Sequence, residues 1–169
     1  GHCNTMGTAT SMNSLAESMG MSLPGCAAIP APYRERAQMA YDTGFRSVQL
    51  ILEDVKPSDI LTMDAFYNAI VTASAIGASS NAPPHIIAIA KQLDIDLTLE
   101  HWEKWGEKIP LLVNLQPAGE HLGEGYFRAG GVPAVMKELL DHNKLNKNAL
   151  TVSGKTIAEN LVDKRSTDR

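Results

Sequence analysis

The sequence predicts an α/β fold in which helices dominate, because five or six stretches carry apolar residues at helical spacing and only two short apolar runs qualify as strands. The chain has 169 residues, the size of one ordinary domain. With 44% hydrophobic and 20% charged residues, it can build a packed core and is not a disordered chain.

Met12, Leu15, Ala16 and Met19 share one helical face, and Gly20 supplies a stop, which predicts a helix over 8–19. Residues 25–32 carry Pro30 and Pro32 among small residues and read as a loop. Ala37, Tyr41, Gly44, Val48, Ile51 and Val55 then recur in steps of four and three, the stripe of a long helix closed by Lys56-Pro57. Thr62 can cap the next helix, with Asp64 in its first turn and Phe66, Ala69, Ile70 and Ala73 as its buried face. Residues 75–82 form a turn of small residues, after which Pro83 or Pro84 opens a helix with Ile86, Ile89, Ala90 and Leu93 inward.

Thr98 can cap a short helix bearing Trp102 and Trp105. Residues 110–115 are the best strand candidate, ended by Gln116-Pro117-Ala118-Gly119, and 149–152 are a second. Between them Gly130-Gly131-Val132-Pro133 turns into a helix with Val132, Val135, Met136, Leu139 and Leu140 inward. A last helix starts near Lys155, and the tail 163–169 has nothing apolar to bury and is expected to fray.

Several functions are excluded by composition. Fifteen Lys and Arg against nineteen Asp and Glu leave a net charge of -4, unsuited to neutralising phosphates, so no nucleic-acid partner is expected. No apolar run approaches the ~20 residues of a membrane span. The first residues lack the basic start and apolar middle of a signal peptide, and the chain does not begin with Met, which suggests a fragment, a processed chain or a cloning remnant. Two cysteines, Cys3 and Cys26, make no disulfide framework, and a cytoplasmic protein with reduced thiols is the simpler expectation.

Cys3 lies in a small, polar loop that runs straight into a helix. A thiolate there faces unpaired N–H groups and the positive end of the helix dipole, which favours it as a nucleophile or a metal ligand over a buried inert thiol. Cys26, between Pro24-Gly25 and Ala27-Ala28, reads as small apolar filler. His2, His85, His101, His121 and His142 lack the i, i+4 pairing of a zinc helix. His85, one turn into a helix after Ser79-Ser80-Asn81, can face an anion or serve structurally. Gly154-Lys155-Thr156 ends like a phosphate-binding loop, but Ala149 stands where that pattern needs glycine, and neither a dinucleotide fingerprint nor a G-x-S-x-G elbow is present. Trp102 and Trp105 read as packing rather than a stacking platform.

These residues resemble a family, the iron–sulfur dehydratases of dihydroxy acids, phosphogluconate and sugar (aldonic) acids. Gly1-His2-Cys3-Asn4-Thr5-Met6-Gly7-Thr8-Ala9, followed by Met12-Asn13 and Leu23-Pro24-Gly25, resembles the segment that supplies the last of that family's cluster cysteines. Ala75-Ile76-Gly77-Ala78-Ser79-Ser80-Asn81-Ala82 resembles its Gly-Gly-Ser-Thr-Asn loop, and Gly130-Gly131-Val132-Pro133-Ala134-Val135 its Gly-Gly-Val-Pro turn. The likeness runs over nearly the whole chain, in order.

The resemblance implies that 1–162 is part of the large N-terminal domain of a hydro-lyase that converts a sugar acid to a 2-keto-3-deoxy acid. It implies an iron–sulfur cluster and Mg2+ as cofactors, with Cys3 as one cluster ligand and Asn4 and Thr5 hydrogen-bonding at its edge. It places Ser79, Ser80, Asn81 and His85 near the substrate, and the other cluster cysteines, the magnesium ligands and the base outside these residues. A small-molecule substrate and a homo-oligomer follow. Ala78 replaces a glycine of the family loop, and Pro83-Pro84 replaces part of an aliphatic run, which stiffens that loop. Asn114-Leu115-Gln116-Pro117-Ala118-Gly119-Glu120 and Thr8-Ala9-Thr10 look like the sugar-acid branch, with the branched-chain dihydroxy-acid branch second. A non-catalytic interaction module descended from the family is the alternative from another class.

Overall fold

A computed structural model describes residues 3–167. Among them run α1 (Thr8–Ser18), α2 (Arg34–Leu52), α3 (Pro57–Ile60), α4 (Met63–Ile76), α5 (Ala82–Lys91), α6 (Leu99–Gly106), α7 (Gly123–Arg128), α8 (Gly131–Asp141) and α9 (Ile157–Leu161).

The centre of the domain is α4. Its sequence, MDAFYNAIVTASAI, is apolar almost all round, which is the pattern of a helix enclosed by others. One side, with Phe66, Ala69, Ile70 and Ala73, packs with Leu15 and Met19 of α1, Ile86 and Ala90 of α5, and Leu97. The other side, with Val71, Ala75 and Ile76, packs with Val132, Met136 and Leu139 of α8 and Ile157 and Leu161 of α9. Burying each large aliphatic side chain contributes about 1.5–3 kcal/mol. Asn68 is enclosed with them, and its two functions are met: Nδ2 donates to Asn146 O at 3.1 Å, and Oδ1 accepts from Asn146 N at 2.7 Å.

Three helix ends follow from local chemistry. Gly20, at φ +84°, ends α1 where a Cβ would lie 2.7 Å from Leu150 O. Pro83 and Pro84 sit in the first turn of α5, where a missing N–H costs nothing. Thr156 caps α9 by accepting from Glu159 N, while Glu159 accepts from Thr156 N.

Both strand expectations need correction. Residues 110–115 lie against the end of α4, where Leu112 N donates to Ala75 O at 2.7 Å, but they form only an isolated bridge between Leu115 and His121. Residues 149–152 likewise form one bridge, Leu150 to Thr156. An apolar run becomes a strand only beside another extended segment, and among the described residues each run forms one isolated bridge and no ladder, its other backbone bonds going to turns and helix ends. The helices α3 and α7 were not anticipated: four and six residues are too short for a periodic signal.

The long stripe forms α2, but the helix stops at Leu52, before a left-handed Asp54 at φ +54°, which leaves Val55 outside it, and none of its residues is buried. Of the tail expected to fray, 163–167 is exposed, but Thr167 docks on the α7–α8 turn: its N–H donates to Ala129 O at 3.2 Å and its hydroxyl to Arg128 O at 2.9 Å. Asp168 and Arg169 lie outside the described residues. No described helix is long and apolar enough to cross a membrane.

Candidate functional site

The loop before α1 carries Cys3 into solvent and is held from below by its own helix. Thr10, buried in the first turn, donates its hydroxyl to Thr5 O at 2.7 Å and to Cys3 O at 3.3 Å. A second brace comes from 115–124. Met6 N donates to Gln116 O at 2.6 Å, Gly123 N to Asn4 O at 2.8 Å, and Glu124 N to Asn4 Oδ1 at 2.9 Å. These bonds fix the backbone on both sides of Cys3, so its thiol is presented by a rigid frame rather than a free end.

Thr5 Oγ1 lies 3.6 Å from Cys3 Sγ. Hydrogen bonds from Thr5, its side chain first and then its backbone, hold the Cys3 thiol below the ordinary range for cysteine. Gly7 lies beside the sulfur, where a Cβ would make ordinary contact with Sγ at 3.6 Å. Cys26 is placed differently. It is half-buried, its thiol lies 3.7 Å from Arg36 Nη1, and burial pushes its pKa up.

The loop between α4 and α5 meets the start of α1. Asn81 Nδ2 donates to Thr8 Oγ1 at 2.8 Å, Ser79 Oγ lies 3.3 Å from the same hydroxyl, and Ser79 N donates to Ser11 Oγ at 2.8 Å. Cys3, Thr5, Thr8, Ser79 and Asn81 therefore belong to one polar surface at the N-terminus of α1. Ser80 is exposed on that loop. His85 is exposed one turn further on and lines a shallow groove with Met12, Ala88, Ile89 and Gln92. Asn114 Oδ1 is committed to Glu120 N at 2.9 Å, and Gln116 Nε2 to Glu120 O at 3.4 Å, so both side chains brace their own loop.

His101 and Trp105 act structurally. His101 Nδ1 accepts from Thr98 N at 3.2 Å, and its ring stacks at a tilt on Trp105, 4.9 Å away. Trp105 also meets Tyr67 edge to face at 5.3 Å. His2 lies outside the described residues.

Two residues were missed by sequence reasoning. Thr10 enters the sequence reading only within Thr8-Ala9-Thr10 as a mark of the sugar-acid branch, and only the fold reveals that it binds two carbonyls of the Cys3 loop. Glu17 is buried beneath the Leu23-Pro24-Gly25 segment, accepting from Gly25 N and Ala27 N, both at 2.7 Å. Desolvation pushes its pKa up to about 7 against the pull of those two N–H groups. The small residues around it, Ser14, Ala16 and Ser18, were the available signal that α1 is enclosed well beyond one face.

Among the described residues no three His, Cys, Asp or Glu side chains gather as a metal-holding group. The donor set fits one corner of an iron–sulfur cluster: a single exposed thiol with a lowered pKa, beside a helix start and ringed by hydroxyl and amide groups.

The fold and site thus define a helix-dominated domain that presents one thiol at the junction of two polar loops. The chain matches, over residues 1–160, the family described as Dihydroxy-acid/6-phosphogluconate dehydratase N-terminal, and it belongs to that family. It is 57% identical over its whole length to a D-xylonate dehydratase of Caulobacter vibrioides, covering 28% of that protein. It is 50% identical over 96% of its length to an L-arabinonate dehydratase of Rhizobium leguminosarum, again 28% of that protein. A dihydroxy-acid dehydratase of Acetivibrio thermocellus is 44% identical over 99% of the chain and 30% of its own length. The chain thus spans less than a third of these relatives.

Proposed function

We propose that this chain is part of a hydro-lyase that dehydrates a sugar (aldonic) acid to a 2-keto-3-deoxy acid, with Cys3 as one thiolate ligand of an iron–sulfur cluster. The observation that carries the reading is the meeting of the Cys3 loop and the Ser79-Ser80-Asn81 loop at the start of α1, through Thr8. The two relatives of highest identity named above, a D-xylonate and an L-arabinonate dehydratase, support the sugar-acid class.

The cluster and Mg2+, when bound, would supply Lewis acidity toward a departing hydroxyl, which leaves poorly from an unactivated alcohol. The chain's own residues hold and orient. Cys3 offers the thiolate, and Thr5 lowers the cost of keeping it charged. Asn4 accepts from Gly123 N through its backbone O and from Glu124 N through Oδ1, which fixes the path of the loop beside the cluster edge. Thr8 and Asn81 lock the second loop to the first, leaving Ser80, and His85 a turn later, to meet hydroxyl or carboxylate groups of the sugar acid. The Mg2+ ligands and the base that removes the proton are assigned to no residue of this chain. The reading includes a cytoplasmic homo-oligomer.

The test is an assay of the longer protein that carries this segment, following keto-acid release from pentonic and hexonic acids and from 2,3-dihydroxyisovalerate. Preference for an aldonic acid supports the proposal. Preference for the branched acid assigns the protein to the branch of the Acetivibrio relative, and no turnover of either leaves the non-catalytic module.

A further inference from the structure

Two neighbouring hydroxyls of α1 reach out of the helix to different loops. Ser11 Oγ accepts from Ser79 N at 2.8 Å, and Thr10 Oγ1 donates to Thr5 O at 2.7 Å, with a longer arm to Cys3 O at 3.3 Å. Further along, the hydroxyls stay within the helix: Ser14 Oγ donates to Thr10 O and Ser18 Oγ to Leu15 O, four and three residues back. Thr10 is 2% exposed, so its hydroxyl is a buried group directed at two carbonyls of the segment that carries the thiol.

One of those carbonyls lies beside the sulfur. Thr5 O is 3.8 Å from Cys3 Sγ, and it also accepts from Gly7 N at 2.9 Å. While Cys3 is a thiol, its S–H can point at that oxygen. As a ligand of iron the sulfur has lost its proton and can only accept, so two acceptors then stand 3.8 Å apart. A carbonyl oxygen has two lone pairs. Gly7 N and the Thr10 hydroxyl engage both, which spares the charged sulfur an unpaired carbonyl and holds the Thr5 peptide in place. The Thr5 hydroxyl, 3.6 Å from Sγ, is then left to donate to the thiolate.

We propose that Thr10 is a positioning residue for the cluster: by holding Thr5 O and Cys3 O it fixes where the Cys3 thiolate stands and which donors face it, and so sets how firmly the iron is kept. Groups one step behind a metal ligand orient that ligand and tune the metal, and Thr10 stands in that place. The inference rests on the reading of Cys3 as a cluster ligand and adds a residue to which that reading gives no role.

The experiment uses the longer protein that carries this segment, prepared anaerobically with its cluster, as the parent, Thr10→Val, Thr10→Ser, Thr72→Val and Cys3→Ser. Valine keeps the branched shape of threonine without the hydroxyl, and serine keeps the hydroxyl. Thr72 is as deeply buried, in α4, and its hydroxyl has no hydrogen-bond partner, so Thr72→Val removes a buried hydroxyl without breaking a bond. Two quantities are read at equal iron content: the visible circular dichroism of the cluster and the rate at which a chelator removes its iron.

The expected result for Thr10→Val is an altered visible spectrum and iron loss about 10-fold faster, with the parent's behaviour in Thr10→Ser and Thr72→Val. A purely structural role would lower the melting temperature and leave the spectrum of the intact cluster as it is. If Thr10→Val takes up no cluster, uptake restored in Thr10→Ser supports the proposal, and failure of both overturns it. The parent's spectrum and rate in Thr10→Val, or a change that Thr10→Ser or Thr72→Val shows equally, also overturns it. When Cys3→Ser loses the cluster and Thr10→Val behaves as the parent, Thr10 alone is removed from the account; when Cys3→Ser keeps full iron, the ligand reading falls and this proposal falls with it.

Discussion

Asn81 Nδ2 donates to Thr8 Oγ1 at 2.8 Å, joining two loops that lie 73 residues apart in the chain. One loop carries Cys3 and the other carries Ser80, so this bond sets how the thiol and the proposed substrate contact stand to each other.

Asn81→Ala removes that donor. A bond of this kind contributes about 1 kcal/mol, so the expected outcome is a loss of that size in denaturant unfolding, with faster hydrogen exchange at Ser79 N, which donates to Ser11 Oγ. Unchanged exchange at Ser79 would mean that the loops are held together by other contacts.

Glu17 makes stability depend on pH. Its folded pKa is raised to about 7 by burial, above the ordinary carboxylate value of 4.5. The folded state therefore holds the proton longer than the unfolded chain does. Its contribution is fully present below about pH 4.5 and is lost as pH rises through about 7. Glu17→Gln is expected to flatten this slope, measured as melting temperature across pH 4–8. It should also cost about 1–3 kcal/mol at the acid end, because a carboxamide cannot accept from both Gly25 N and Ala27 N.

The sequence told much about the helices and little about how they meet. The stripes of α1, α5 and α8 named the residues that pack inward, because helical periodicity is local. For α4 one face was read and the second missed, since small residues such as Ala75 count as filler until a neighbouring helix sits on them. The α2 stripe was read correctly as helical, but periodicity does not say which partner covers it. The two strand candidates failed for the same reason: 110–115 has the composition of a strand and lacks the neighbours of one. At the site, Cys3, Ser79 and Asn81 were legible from motif resemblance. Thr10 and Glu17 were not, because their roles exist only once distant backbone groups arrive.

Gly20→Ala tests the packing between the end of α1 and 149–152. The left-handed φ alone costs about 1–2 kcal/mol, and the new Cβ would stand 2.7 Å from Leu150 O and 3.1 Å from Thr151 Cα. The expected outcome is a loss of more than about 2 kcal/mol in chemical unfolding. A smaller loss would show that 149–152 gives way easily.

Cys3 and Cys26 are the two thiols of this chain, and only Cys3 is exposed, lowered in pKa and set at the junction of the two loops. The most direct measurement is iron content and visible absorbance of the longer protein carrying this segment, prepared anaerobically as Cys3→Ser and as Cys26→Ser. The account predicts that Cys3→Ser loses cluster absorbance and dehydratase activity together, while Cys26→Ser keeps both; full iron and absorbance in Cys3→Ser, or equal losses from the two substitutions, would contradict it.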